Sequence, residues 1–226
     1  MFSQRKFGCL AAILTVFAAG SAARAAEPVS LQFDFSVPPR HVVAEVTNTT
    51  ASPRYDFGKT TEQLSRILSG DDLKLTGNVR GVTRQAMTTL IRLTYRPAGT
   101  VNGEEQVAIT KIQYSIGYTA VDVYVQAYPV GSCERVEVLH HENLHVGIAS
   151  QTLDRAMPTI QAAVQRVADE MPSAVAKDGL MAAVQARVTA ATGPAIRTML
   201  ADRADFDTAL DSPASYRMTQ NRCSNW

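Results

Sequence analysis

The spacing of apolar residues changes character midway along this chain. Residues 31–37, Leu-Gln-Phe-Asp-Phe-Ser-Val, alternate apolar with polar, and residues 42–46 form a β-branched run; both predict strands. Thr60-Thr61-Glu62-Gln63 then carries a capping-box pattern, with Leu64, Ile67 and Leu68 on one apolar face, which predicts a short helix ending near Gly70. Residues 74–130 are rich in Val, Ile, Thr and Tyr, with turn material at Gly77-Asn78, at 97–100 and at Asn102-Gly103. Three neighbouring antiparallel strands are expected there, at 87–95, 107–114 and 118–128. Asn102-Gly103 favours a tight reversal between the first two, and Pro129 ends the region.

From Glu134 onward the composition shifts to Ala, Leu, Val, Gln and Arg, and apolar residues recur at three and four. This half reads as helical. Pro158, Pro172 and Gly193-Pro194 are expected to cut it into about four segments, because proline inside a helix removes a hydrogen bond. Residues 212–226 lack periodicity and read as a loop or tail. The fold expected is α+β: a small antiparallel sheet in the N-terminal half, packed against a helical C-terminal half.

Composition narrows the picture. The chain has 226 residues, enough for one core, so residues 26–226 are expected to form a single domain. A net charge of +1 gives no field to attract nucleic acid or anionic lipid. Residues 1–25 read as a signal peptide: Arg5 and Lys6, an apolar run over 7–19, then Ala23-Arg24-Ala25 before the cleavage point. That run is too short to span a bilayer comfortably, and no later stretch is long enough, so no membrane span is expected. Cys9 falls in the leader. Cys133 and Cys223 remain, and in an oxidising compartment a disulfide between them is expected.

Chemistry concentrates in His140-His141-Glu142-Asn143-Leu144-His145, which holds three of the chain's four histidines. His141 and His145 are one helical turn apart, so their imidazoles share a face and can grip one ion. Glu142 sits beside that ion and can take a proton from water that zinc makes acidic. His140 is turned about 100° away and reads as a surface or supporting residue. His41, alone near a strand, reads as a satisfied or exposed side chain.

A catalytic zinc usually takes three protein ligands. Ile148 and Gln151 stand where the metzincins have a histidine or other motif position, so that class is excluded. A carboxylate from a later helix is the alternative, among Asp154, Asp169, Glu170, Asp205, Asp207 and Asp211. Asp154 lies too far along the same helix. Bridging Cys133 to Cys223 would bring the C-terminal segment towards His141, which favours Asp207, then Asp211, with Glu170 as the option from a following helix. Tyr216 comes near by the same reasoning and could donate a hydrogen bond to a developing oxyanion.

The order of features resembles a bacterial family of predicted secreted zinc-dependent proteases, a domain-of-unknown-function family with a His-Glu-x-x-His motif. Three pieces carry it: Tyr55-Asp56-Phe57-Gly58-Lys59-Thr60 leading into a short helix, the turn and strand over 76–95, and His141-Glu142-x-x-His145 after the sheet. The resemblance spans about residues 55–211. The family closes with an aromatic-Asp pair, a Thr and a His-Gly; Phe206-Asp207 matches the pair, but residues 210–213 contain no His-Gly. If that histidine is the family's third ligand, Asp207 or Asp211 must replace it here.

The expectation is therefore a secreted or periplasmic zinc metallopeptidase. Zn2+ would be held by His141, His145 and a carboxylate, with Glu142 as base and then proton donor. Its substrate would be a peptide or protein, cell-wall peptides included. The alternative class is a noncatalytic zinc-binding envelope protein, which the missing histidine favours; a domain without metal is the third reading.

Overall fold

The structure, a computed structural model, describes residues 41–69 and 79–224. The expected leader, the strand at 31–37 and the turn at Gly77-Asn78 lie outside them. Two six-residue strands, β1 (Val43–Asn48) and β2 (Arg54–Lys59), precede helix α1 (Thr61–Ser69). The capping box forms as read: the Gln63 N–H donates to Thr60 Oγ1 at 3.3 Å and the Thr60 N–H to Gln63 Oε1 at 2.8 Å. Leu64 anchors the helix face in full burial.

Two long strands follow, β3 (Gly81–Val101) and β4 (Glu104–Gln126), paired antiparallel along their length. Asn102 and Gly103 join them with φ of 53° and 85°, the left-handed pair that a two-residue hairpin needs. The two strands expected at 107–114 and 118–128 are thus one. Gly117, which would suit a break between them, instead sits inside β4. A Cβ there would come within 2.6 Å of the Thr49 carbonyl carbon and 2.9 Å of the Thr49 nitrogen, so glycine admits the β1–β2 junction against the strand. Backbone bonds from Thr49 N to Ile116 O and from Ala51 N to Tyr118 O seal that contact.

The sheet is not the antiparallel one expected from sequence. β1 and β2 run parallel to β4, whereas β3 and the two-residue β5 (Val175–Ala176) run antiparallel to it. Because β3 occupies one edge of β4, the pieces β5, β1 and β2 succeed one another along the other. The parallel pairing follows from the route: the chain passes through β1, β2 and α1 before β3 reverses it, so β4 returns in the first direction.

Three helices follow among the described residues: α2 (Cys133–Asp169), α3 (Leu180–Leu210) and α4 (Pro213–Gln220). Pro172 lies in the break after α2, but Pro158 and Pro194 do not end helices as expected. Each is exposed, and so are Asp154 and Ala190 four residues before, so water can reach the carbonyls that lose their partners. Continuous packing offsets the remaining cost. Leu153, Ile160 and Val164 of α2 and Val184, Val188 and Met199 of α3 meet Ile112, Tyr114 and Ile116 of β4 in one core, each large side chain contributing about 1.5–3 kcal/mol. The stretch expected as a tail contains α4, started by Ser212, whose Oγ accepts from Ser215 N at 3.3 Å, with Pro213 in the first turn.

α2 lies along the sheet. Its Gln161 accepts from Val46 N at 3.1 Å and donates to Ala44 O at 3.2 Å, which satisfies the outer edge of β1. The overall class is α+β, with strands in the N-terminal half and helices in the C-terminal half.

Candidate metal centre

Ser132 opens α2 by accepting from Arg135 N at 3.3 Å, and two turns later the helix presents His141 and His145. α3 runs back alongside, as the His145–Asp207 and Glu170–Arg187 contacts near its two ends show. Its last turn brings Asp207, and its C-cap Asp211, opposite the histidines. Both carboxylates are buried, Asp207 at 1% exposure and Asp211 at 9%.

Asp211 Oδ1 lies 3.1 Å from His141 Nε2 and 3.2 Å from His145 Nε2. One ligand atom from each of His141, His145 and Asp211 falls within 4.8 Å of the others, so the three could hold a metal ion. Ligands about 2.0–2.1 Å from a tetrahedral ion stand about 3.3 Å apart, close to both separations that Asp211 makes. The donor set, two imidazoles and one carboxylate, suits a borderline metal such as zinc.

Asp207 does not join them. Its Oδ1 lies 2.7 Å from His145 Nδ1, on the far side of the ring, and its Oδ2 accepts from Arg203 Nε at 3.2 Å. Of the carboxylates expected as third ligand, Asp211, placed second, is the one that faces the space between the histidines, while Asp207 orients His145 so that Nε2 points there. Asp207 in the last turn of α3 and Asp211 at its C-cap lie one turn apart, so spacing alone could not choose between them. Glu170 is excluded. It pairs with Arg187 at the surface, 25 residues and roughly 37 Å of helix beyond His145.

Tyr216 of α4 reaches the site from the other side. Its hydroxyl donates to Asp211 Oδ1 at 2.8 Å, and its ring stacks on His141 with centroids 5.2 Å apart. Asp211 Oδ1 thus meets both histidines and the tyrosine. Burial pushes the Asp211 carboxyl up, but His141, His145 and Tyr216 together hold it well below the usual carboxylate range. Burial likewise pulls the His145 imidazole down, yet hydrogen bonds to Asp207 and Asp211, with the charges of Asp211 and Glu142, bring it up to about 10.

Glu142 is set from the sheet. Thr83 Oγ1 donates to Glu142 Oε2 at 2.8 Å, and a Cβ on Gly81 would come within 2.7 Å of Glu142 Cγ and 2.8 Å of Cδ. Only glycine leaves room for this side chain. Burial raises the Glu142 carboxyl above its ordinary value, against the pull of His145, His141 and Thr83.

Of the other residues singled out from sequence, His140 is exposed, and Asp205 is exposed on α3. Asp154 accepts from Asn48 Nδ2, and Asp169 from Gln165 Nε2. His41 is exposed just before β1, beside Val42, whose carbonyl meets Gln165 some twenty residues along α2 from His145. Gly81, Thr83 and Arg203 were not found by sequence. Arg203 is 8% exposed and its guanidinium lies 5.0 Å from the Tyr118 ring centroid, so it supports Asp207 from inside the core. No local pattern in the sequence marks any of the three.

The expected disulfide forms between Cys133 and Cys223, with Cα atoms 5.8 Å apart. Among the described residues no helix is long and apolar enough to cross a membrane. No family model matches the chain, and no curated protein and no solved structure matches it.

Proposed function

We propose that this chain is an exported zinc-dependent hydrolase that cleaves peptide or related amide bonds. The observation that carries the reading is the convergence of His141 Nε2, His145 Nε2 and Asp211 Oδ1 beside the buried carboxyl of Glu142. Charge supports a cation there. Asp207 and Asp211 occupy the C-terminal end of α3, where the helix dipole is negative, and the last turn holds no basic residue. Arg203 is bonded to Asp207, which leaves Asp211 for the ion.

Zinc bound in such a site polarises a carbonyl and makes water a nucleophile near neutral pH. Glu142 is the base. Thr83 fixes Oε2, leaving the other oxygen to take a proton from water and return it to the departing amine. The raised affinity of Glu142 for a proton suits that shuttle. The disulfide and the leader-like N-terminus support a periplasmic or secreted location, and the resemblance of the motif order to secreted proteases supports a peptide substrate.

Glu142→Gln tests the reading. Hydrolysis of a peptide library by the zinc-loaded protein should fall by about 10²–10⁴-fold in this variant while zinc stays bound. Equal activity in both proteins would remove Glu142 from the role of base, and no activity in either would leave a noncatalytic metal-binding role.

A further inference from the structure

Cys133, Glu137, His141 and His145 are spaced by four, so they form one stripe along the first turns of α2. The chain after α3 runs along that stripe and meets each member. Cys223 is bonded to Cys133, Arg222 pairs with Glu137 at 2.9 Å, Tyr216 stacks on His141, and Asp211 faces both histidines. α4, which spans most of this strap, has no buried residue. Its place on the protein therefore depends on those contacts rather than on a packed apolar face.

Resting on the zinc reading above, we propose that the strap is a redox-controlled clamp on the metal centre. The Cys133–Cys223 bond seats Tyr216, and Tyr216 holds Asp211 in the position from which it ligates. Tyr216 is a positioning residue: its hydroxyl donates to the oxygen that faces the histidines, and its ring backs His141. Losing such a supporting partner typically weakens a metal site by about 10–100-fold. A dithiol reductant opens the clamp by giving two electrons and two protons to the bond, which yields two cysteine thiols and leaves the reductant as a disulfide. The strap then keeps its noncovalent contacts, those of Tyr216 with Asp211 and His141 and the Arg222–Glu137 pair, without the covalent bond that seats them. The centre would hold zinc firmly only in an oxidising compartment.

The test is zinc affinity, read by competition with a chromophoric chelator, for the full chain and for Tyr216→Phe, each oxidised and reduced. Reduction of the parent chain is expected to weaken zinc by about 10–100-fold, the oxidised Tyr216→Phe chain should show a similar loss, and reducing that variant should add little. Unchanged affinity on reduction overturns the clamp, as does a full second loss on reducing Tyr216→Phe. Should circular dichroism show that the reduced chain unfolds, two glycines inserted between Gln220 and Asn221 slacken the strap with the bond intact. That chain should lose the same affinity, and parent-like affinity overturns the proposal. An oxidised parent chain that binds no zinc contradicts the metal reading itself, a separate result.

Discussion

Gly81 and Thr83 act on Glu142 from the sheet side, the first by leaving space and the second by donating to Oε2. Replacing Gly81 by Ala forces the carboxylate aside. The expected outcome is a fall of about a hundredfold in kcat with zinc affinity kept, measured by steady-state hydrolysis and chelator competition; loss of both together would place Gly81 in folding rather than in aligning the base. His145 yields a second prediction. Its proton affinity is raised, so below about pH 10 the metal-free imidazole is charged, and zinc must displace that proton. Binding heats in buffers of different ionisation enthalpy should report release of about one proton at pH 7.5, and apparent affinity should fall about tenfold for each pH unit below that range; no buffer dependence would contradict it. At this scale the histidines and Glu142 were legible because one helical turn fixes their relation. Asp211 was legible only as one of several carboxylates, since which face of α3 meets α2 is decided by packing far from either residue. Gly81 and Thr83 were not legible, because their roles depend on a strand lying against a helix about sixty positions later.

At the scale of elements, the hairpin of β3 and β4 and the cap of α1 were readable from a few adjacent residues, and the structure contains both. The parallel pairing of β1 and β2 was not, because a strand carries no local mark of its partner. Gly117 shows the same difficulty. It resembles a turn residue in sequence but serves a close backbone crossing. Gly117→Ala should destabilise the fold by about 1–3 kcal/mol through overcrowding at Thr49 and Thr50, seen as a lower denaturant midpoint with an unchanged slope; parent-like stability would show that the β1–β2 junction can shift. Pro158 and Pro194 misled in the opposite direction. A breaker is only as strong as the packing it interrupts, and both lie on exposed faces of helices whose opposite faces are buried.

Across the whole molecule, the α+β division followed from the change in apolar spacing near residue 130, and the disulfide followed from the two cysteines outside the expected leader. Their joint consequence was less visible: the bond draws the end of the chain onto the helix that carries the histidines, and α3 supplies the carboxylates from the opposite side. Sheet, helices and strap thus contribute Glu142's setting, the imidazoles, the Asp211 carboxylate and its support to one small volume. The central claim is that this volume holds a metal. Metal content of the oxidised protein, purified without added metal or chelator and measured by mass spectrometry beside an Asp211→Ala chain, tests it most directly. The account predicts about one zinc per parent chain and little in the variant; a parent chain without stoichiometric metal, or a variant that keeps it, would contradict the account.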